Sequence, residues 1–273
     1  MLVLLPPSEG KAGSGEGPRL DPGSLTLPEL APAREQVLAA LTELCAGPED
    51  VAMDVLGLTA NQADALKRNL DAATAPTLRA AELYTGVLYE RLGLPGLLDS
   101  PAAGRVRERV LVFSGLWGVV GPADRLPPYR LSMGVRLPPL GGLGAHWRRA
   151  LAGPLGGLAE GRLLVDCRST AYAAAFRPTG AAAGRTVAVR VLREREVGGT
   201  VERSVVSHMA KATRGDIARA LLVEGVDADT PEELVAALRD LGHTAELAPA
   251  ARAGAPRVMD VVVRDRGGSV RRG

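Results

Sequence analysis

Cysteine, lysine and aromatic residues are all scarce in this 273-residue chain. Cys45 and Cys167 stand far apart with no CxxC pattern, so no disulfide framework and no thiolate metal site are expected. His146, His208 and His243 are scattered and no HExxH occurs, so neither a metal nor a cofactor is expected. No apolar run approaches the roughly eighteen residues of a membrane span. The opening MLVLLPP lacks a basic n-region and stops being apolar after Leu5, too short for a signal peptide. The chain therefore reads as cytoplasmic, with no membrane partner.

Of 33 basic residues only Lys11, Lys67 and Lys211 are lysines. Where arginine serves almost everywhere, a surviving lysine marks either chance or a need for a compact ammonium. Composition is otherwise that of a globular protein, with 46% hydrophobic and 23% charged residues. The net charge of +2 conceals an uneven distribution: residues 1–100 sum to −7, residues 101–220 to +11 and the remainder to −2. A segment at +11 predicts either a local positive field that gathers anions or a solvated arginine-rich surface. The eight aromatic residues all fall between Tyr84 and Phe176, which suggests one centre of stacking and hydrogen bonding or a small aromatic core.

Short β-type runs occur at 2–5, 110–113, 163–165, 187–191, 205–206 and 258–263. Helical patterns cover about 33–46, 60–72, 79–92, 144–152, 208–224 and 231–240. Thr230-Pro231-Glu232-Glu233 opens the last as N-cap, N1 proline and acidic first turn. The mixture predicts a single α/β domain over 1–273, a mixed β-sheet flanked by helices. Segments 10–32 and 121–144, rich in Gly and Pro, read as long surface loops.

Several motifs carry polar groups at predicted strand ends. Strand 2–5 runs into Pro6-Pro7-Ser8-Glu9-Gly10-Lys11, which could hold an anion but is not a P-loop, because Leu5 and Ala12 stand where Gly and Ser or Thr are required. Leu56-Gly57-Leu58-Thr59, with Ala63 following, has the spacing of a helix-hairpin-helix over about 50–72, with Thr59 replacing its second glycine. An ordinary helix–turn–helix packing element fits the same residues. Ser114 leaves a strand outside any GxSxG, so no nucleophile elbow is expected. Arg130, Arg136 and Tyr129 in the following segment suit a carboxylate or phosphate. Asp166-Cys167-Arg168-Ser169-Thr170-Ala171-Tyr172 lies just past another strand, where α/β sheets bind ligands. Ser207 reads as an N-cap, and His208, Lys211 and Arg214 then gather positive charge near a helix N-terminus, a cost that a bound anion relieves.

In this order PPSEGK, Tyr84-Thr85-Gly86, SGLWGVVGP, PYRLSMGVRL, DCRSTAY and AKATRG resemble the peroxide-stress YaaA family over nearly the whole chain, PPSEGK departing from the SPAK of some members. The resemblance implies an α/β unit with a basic cleft, a helix-hairpin-helix element, DNA binding, and limitation of oxidative damage by keeping free iron low. It implies a cleft that includes Ser8, Lys11, Tyr84, Ser114, Trp117, Tyr129, Arg130, Arg136, Ser169, Tyr172, Lys211 and Arg214. The expected partner is double-stranded DNA, bound without base readout, or another phosphate-bearing ligand. The rival expectation is an enzyme acting on a nucleotide or small anionic metabolite in the same cleft. No acid, base or nucleophile stands out. Lys11, Arg130, Lys211 and Arg214 are expected to converge on one site.

Overall fold

The computed structural model describes residues 1–197, 200–205, 208–249, 252 and 254–264, with the side chains of Val197 and His208 left aside. Its centre is an eight-stranded mixed sheet flanked by helices. In chain order the strands are β1 (Leu2–Leu5), β2 (Val110–Ser114), β3 (Gly118–Val120), β4 (Leu164–Asp166), β5 (Thr186–Val197), β6 (Thr200–Val205), β7 (Ala245–Leu247) and β8 (Arg257–Arg264). Across the sheet they run β7-β8-β5-β4-β1-β2-β3, with β6 added to β5 as an antiparallel hairpin.

Neighbours from β8 to β2 are parallel, and β3 and β7 close the edges antiparallel. The uninterrupted run Leu2-Val3-Leu4-Leu5 suits the centre of such a sheet, since a parallel strand is covered on both faces, and all four residues are wholly buried. The chain leaves β1, adds β2 on one side and later places β4 on the other. The carboxyl ends of these three strands share one edge, where open α/β sheets form their crevices.

The helices α1 (Ala31–Ala46), α5 (Leu143–Leu151), α6 (His208–Val223) and α7 (Pro231–Asp240) lie where the sequence pattern places them. In α7 the Thr230 side chain accepts the Glu233 N–H, as the cap motif requires. The pattern at 60–72 resolves into a single turn at Ala60–Gln62, α3 (Asp64–Leu70) and a further short turn. The preceding α2 (Glu49–Leu56) ends at Gly57, which is left-handed. Here the N–H groups of Gly57 and Leu58 donate to the Asp54 and Met53 carbonyls of α2, and those of Thr59, Gln62 and Ala63 find acceptors within the following turn. The helix-hairpin-helix expected over about 50–72 is not established by these bonds.

Two expectations fail. The pattern at 79–92 is two short helices, Ala80–Leu83 and α4 (Val87–Leu92), interrupted by Tyr84-Thr85-Gly86. Gly86 has φ 93°, a conformation that a side chain resists, so the helix cannot run through. Segment 121–144 is not a surface loop. From Leu131 to Leu137 buried and exposed residues alternate as in a strand, with Leu131, Met133, Val135 and Leu137 inward and Ser132, Gly134 and Arg136 outward. Of the 205–206 run, Val205 belongs to β6, and Val206 and Ser207 lie outside the described residues.

Candidate functional site

The loop after β1 is pinned rather than free. Tyr89 Oη donates to the Pro6 carbonyl at 2.6 Å, Ala12 N–H to the Leu83 carbonyl at 2.9 Å, and Lys11 forms an isolated antiparallel bridge with Tyr84. These contacts put the Lys11 ammonium over two aromatic faces, 4.8 Å from the Tyr129 ring centre and 5.6 Å from that of Tyr84. One of its N–H groups donates to the Ser8 carbonyl at 2.9 Å. Burial, with Arg130 and Arg68 nearby, lowers its pKa from 10.5 to about 7, while Glu9 acts in the opposite direction.

Behind Lys11 lies a buried hydroxyl chain. Ser114 Oγ accepts the N–H groups of Leu116 at 3.2 Å and Trp117 at 2.9 Å, which occupies both its lone pairs. Its own proton therefore goes to Tyr129 Oη at 2.7 Å, and that of Tyr129 to Tyr84 Oη at 2.9 Å. Desolvation raises the pKa of both phenols, so they stay protonated. Ser114 is the lock of a turn and not a nucleophile.

Arg130 is set by Asn69, which α3 supplies from the core. Asn69 Oδ1 accepts the Arg130 N–H at 2.8 Å and its Nδ2 donates to the Arg130 carbonyl at 2.9 Å. On the far side, α6 packs closely against α4. A Cβ at Gly215 would press on the Leu88 carbonyl oxygen, and Arg91 pairs with Asp216 at 2.7 Å. That contact brings Lys211 and Arg214 to the same hollow. Arg214 Nη2 donates to the Val189 carbonyl at 3.0 Å, whereas its buried Nε–H has no acceptor among the described residues.

The result is a cavity of about 620 Å³ at the carboxyl ends of β1 and β4. Seven expected site residues line it: Ser8, Lys11, Arg130, Ser169, Tyr172, Lys211 and Arg214. Ser169 starts a short helix without using its hydroxyl as a cap. Tyr84, Ser114, Trp117 and Tyr129 are buried behind the wall, where they shape it from the core. Arg136 does not line this cavity; its outward position in the alternating run places it on an adjoining hollow with Asp54 to Gly57, which shares Leu56, Gly57 and Ser132 with the cavity. The His208 side chain lies outside the described residues.

Sequence reasoning missed the lining residues Glu9, Thr85, Tyr89 and Ser132. Their signal was present, since all but Tyr89 belong to the quoted motifs.

Two prominent motif residues are structural. Arg168 holds Asp166 through Nε at 2.8 Å and Nη2 at 2.7 Å, donates to the Phe176 carbonyl at 3.1 Å and lies 4.2 Å over Phe113. Cys167 is wholly buried, and desolvation lifts its thiol to about 12; both cysteines are free. Among the described residues no group of three or more His, Cys, Asp or Glu gathers to hold a metal, and no helix is long and apolar enough to cross a membrane.

The profile of the peroxide stress protein YaaA family matches residues 1–246, which include every element that builds the cavity. The chain belongs to this family. A UPF0246 protein of Streptomyces coelicolor is 51% identical over 265 residues, covering 97% of this chain and 99% of its own. UPF0246 proteins of Corynebacterium efficiens and Corynebacterium glutamicum are 38% and 34% identical, covering 90% and 91% of this chain and 95% and 96% of their own.

Proposed function

We propose that this YaaA-family chain acts in the peroxide stress response by binding a phosphate-bearing ligand of nucleotide size in the cavity at the carboxyl ends of β1 and β4. The observation that carries the reading is the convergence of Lys11, Arg130, Lys211 and Arg214 on one hollow of about 620 Å³. That volume falls within the range of small-ligand sites, roughly 300–1,000 Å³. The lining offers both kinds of contact: Arg130, Lys211 and Arg214 for the phosphate, with Lys11 beside them, and Pro6, Pro7, Val87, Leu88 and the Tyr89 ring as apolar surface for the rest of the ligand.

Duplex DNA, the other expected partner, is usually met by cations arranged in a stripe along successive phosphates. Here the basic residues line one enclosed hollow, which favours a single phosphate group or diphosphate. A salt titration on random-sequence duplex separates the two. If the cavity cations carry DNA binding, replacing Lys211 and Arg214 with Ala flattens the slope of log K against log salt by about 1.8, two phosphates at roughly 0.9 each. The small-ligand reading expects an unchanged slope, and a slope reduced by that amount overturns it.

A further inference from the structure

We propose that Lys11 is a nucleophilic amine, which forms an imine with the carbonyl carbon of a phosphate-bearing aldehyde or ketone held in the cavity. The inference rests on the phosphate-binding reading above and adds to it a class of ligand and a reaction.

Geometry argues first. Lys11 is fixed by the loop bridge to Tyr84 and by the bond from Nζ to the Ser8 carbonyl. It lines the cavity and, among the described residues, has no ion pair with a carboxylate. Once neutral, the amine donates one N–H to Ser8 and keeps its lone pair free. The charged groups that face it are Arg130 and Arg68, which oppose its protonation, and Glu9, which supports it. Lys211 and Arg214 line the same hollow, and Tyr84, Tyr129 and Tyr172 are phenols that burial keeps protonated. A pKa of about 7 leaves much of Lys11 neutral at physiological pH, unlike an ordinary lysine. Arginine, which supplies nearly every other cation of the chain, cannot do this chemistry because its guanidinium stays charged.

The step balances without an oxidant or reductant. The amine lone pair attacks the carbonyl carbon, the C–N bond forms, and the C=O π pair moves to oxygen. One nitrogen-borne proton passes to that oxygen to give a carbinolamine. The nitrogen lone pair then expels the oxygen, which takes the second proton and leaves as water. Arg130, Lys211 and Arg214 hold the phosphate meanwhile, without entering the bond changes.

The rarity of amines makes the test clean: the chain's amines are Lys11, Lys67, Lys211 and the Met1 amino group, and Lys67, exposed and outside the cavity, is the internal control. The native protein is treated with substoichiometric pyridoxal 5′-phosphate, reduced with borohydride and mapped by peptide mass spectrometry. The expected result is labelling of Lys11 at least tenfold faster than Lys67 at pH 7, a rate midpoint near pH 7, and slowing by inorganic phosphate. Labelling of Lys11 no faster than Lys67 overturns the inference. Unphosphorylated pyridoxal separates the two readings. If Lys11 reacts selectively and equally with both aldehydes and phosphate gives no protection, the amine is upheld as a nucleophile and the phosphate reading fails. If inorganic phosphate binds by calorimetry but Lys11 is unreactive, only the amine inference fails.

Discussion

Arg34 and the basic residues of the cavity use their donors differently. Arg34 is almost wholly buried and donates to four carbonyls: Thr26 at 2.6 Å, Val119 at 2.9 Å, Trp117 at 3.1 Å and Leu27 at 3.2 Å. In the cavity, Lys11 donates one such bond and Arg214 leaves a buried N–H unpartnered among the described residues. The first arrangement is complete without a ligand and the second is not. A cation in a motif is thus a binding group only where the protein leaves its donors open, and charge alone does not distinguish the two.

This contrast can be broken by substitution. The largest effect is expected at Arg34, because Arg34→Ala takes the donor from the buried carbonyls of Trp117 and Val119 and from the half-buried ones of Thr26 and Leu27. A loss on the order of 3 kcal/mol in urea unfolding is expected, since each unsatisfied buried polar group costs about 1–3 kcal/mol. A loss under about 1 kcal/mol would mean that those carbonyls find other donors. Gly215→Ala comes next, about 2 kcal/mol for forcing α6 away from α4, with weaker ligand binding because Lys211 and Arg214 move with α6. Unaltered affinity in that variant contradicts the positioning role of the contact.

Lys11 sharpens the comparison by its sign. Its folded pKa of about 7 lies below the ordinary 10.5, so below pH 7 the native state bears the full burden of a desolvated charge. The burden is shed as pH rises from about 7 toward 10.5. Lys11→Met is therefore expected to stabilise the protein at pH 6 by about 1–2 kcal/mol, discounted for its partial exposure, with the gain fading toward pH 10.5. Equal gains across that window in denaturant titrations would show that Lys11 is not depressed. The smallest change belongs to Lys211→Ala, within about 0.5 kcal/mol in stability, because its side chain is exposed.

Much of this was legible from local pattern. The unbroken apolar run of β1, the helices at 31–46 and 231–240 and the polar motifs after β1 and β4 are each visible within a few residues. The alternation in Leu131 to Leu137 was equally visible, but the surrounding Gly and Pro made the segment read as a loop. What pattern could not supply were contacts between distant residues. Nothing in Asn69 announces that it will clasp the backbone of Arg130, and carbonyl acceptors such as those of Arg34 have no sequence signature. The break at Gly86 depends on a positive φ that helical periodicity on either side conceals.

The most direct test of the cavity reading is calorimetric titration of a nucleoside diphosphate into the wild-type protein and into the Lys211→Ala/Arg214→Ala variant. One ligand per chain is expected for the wild type, with binding at least tenfold weaker in the variant, a change of about 1.4 kcal/mol or more. Equal affinity in the two proteins, or no binding of a diphosphate to either, would contradict the assignment of these cations to a small phosphate-bearing ligand.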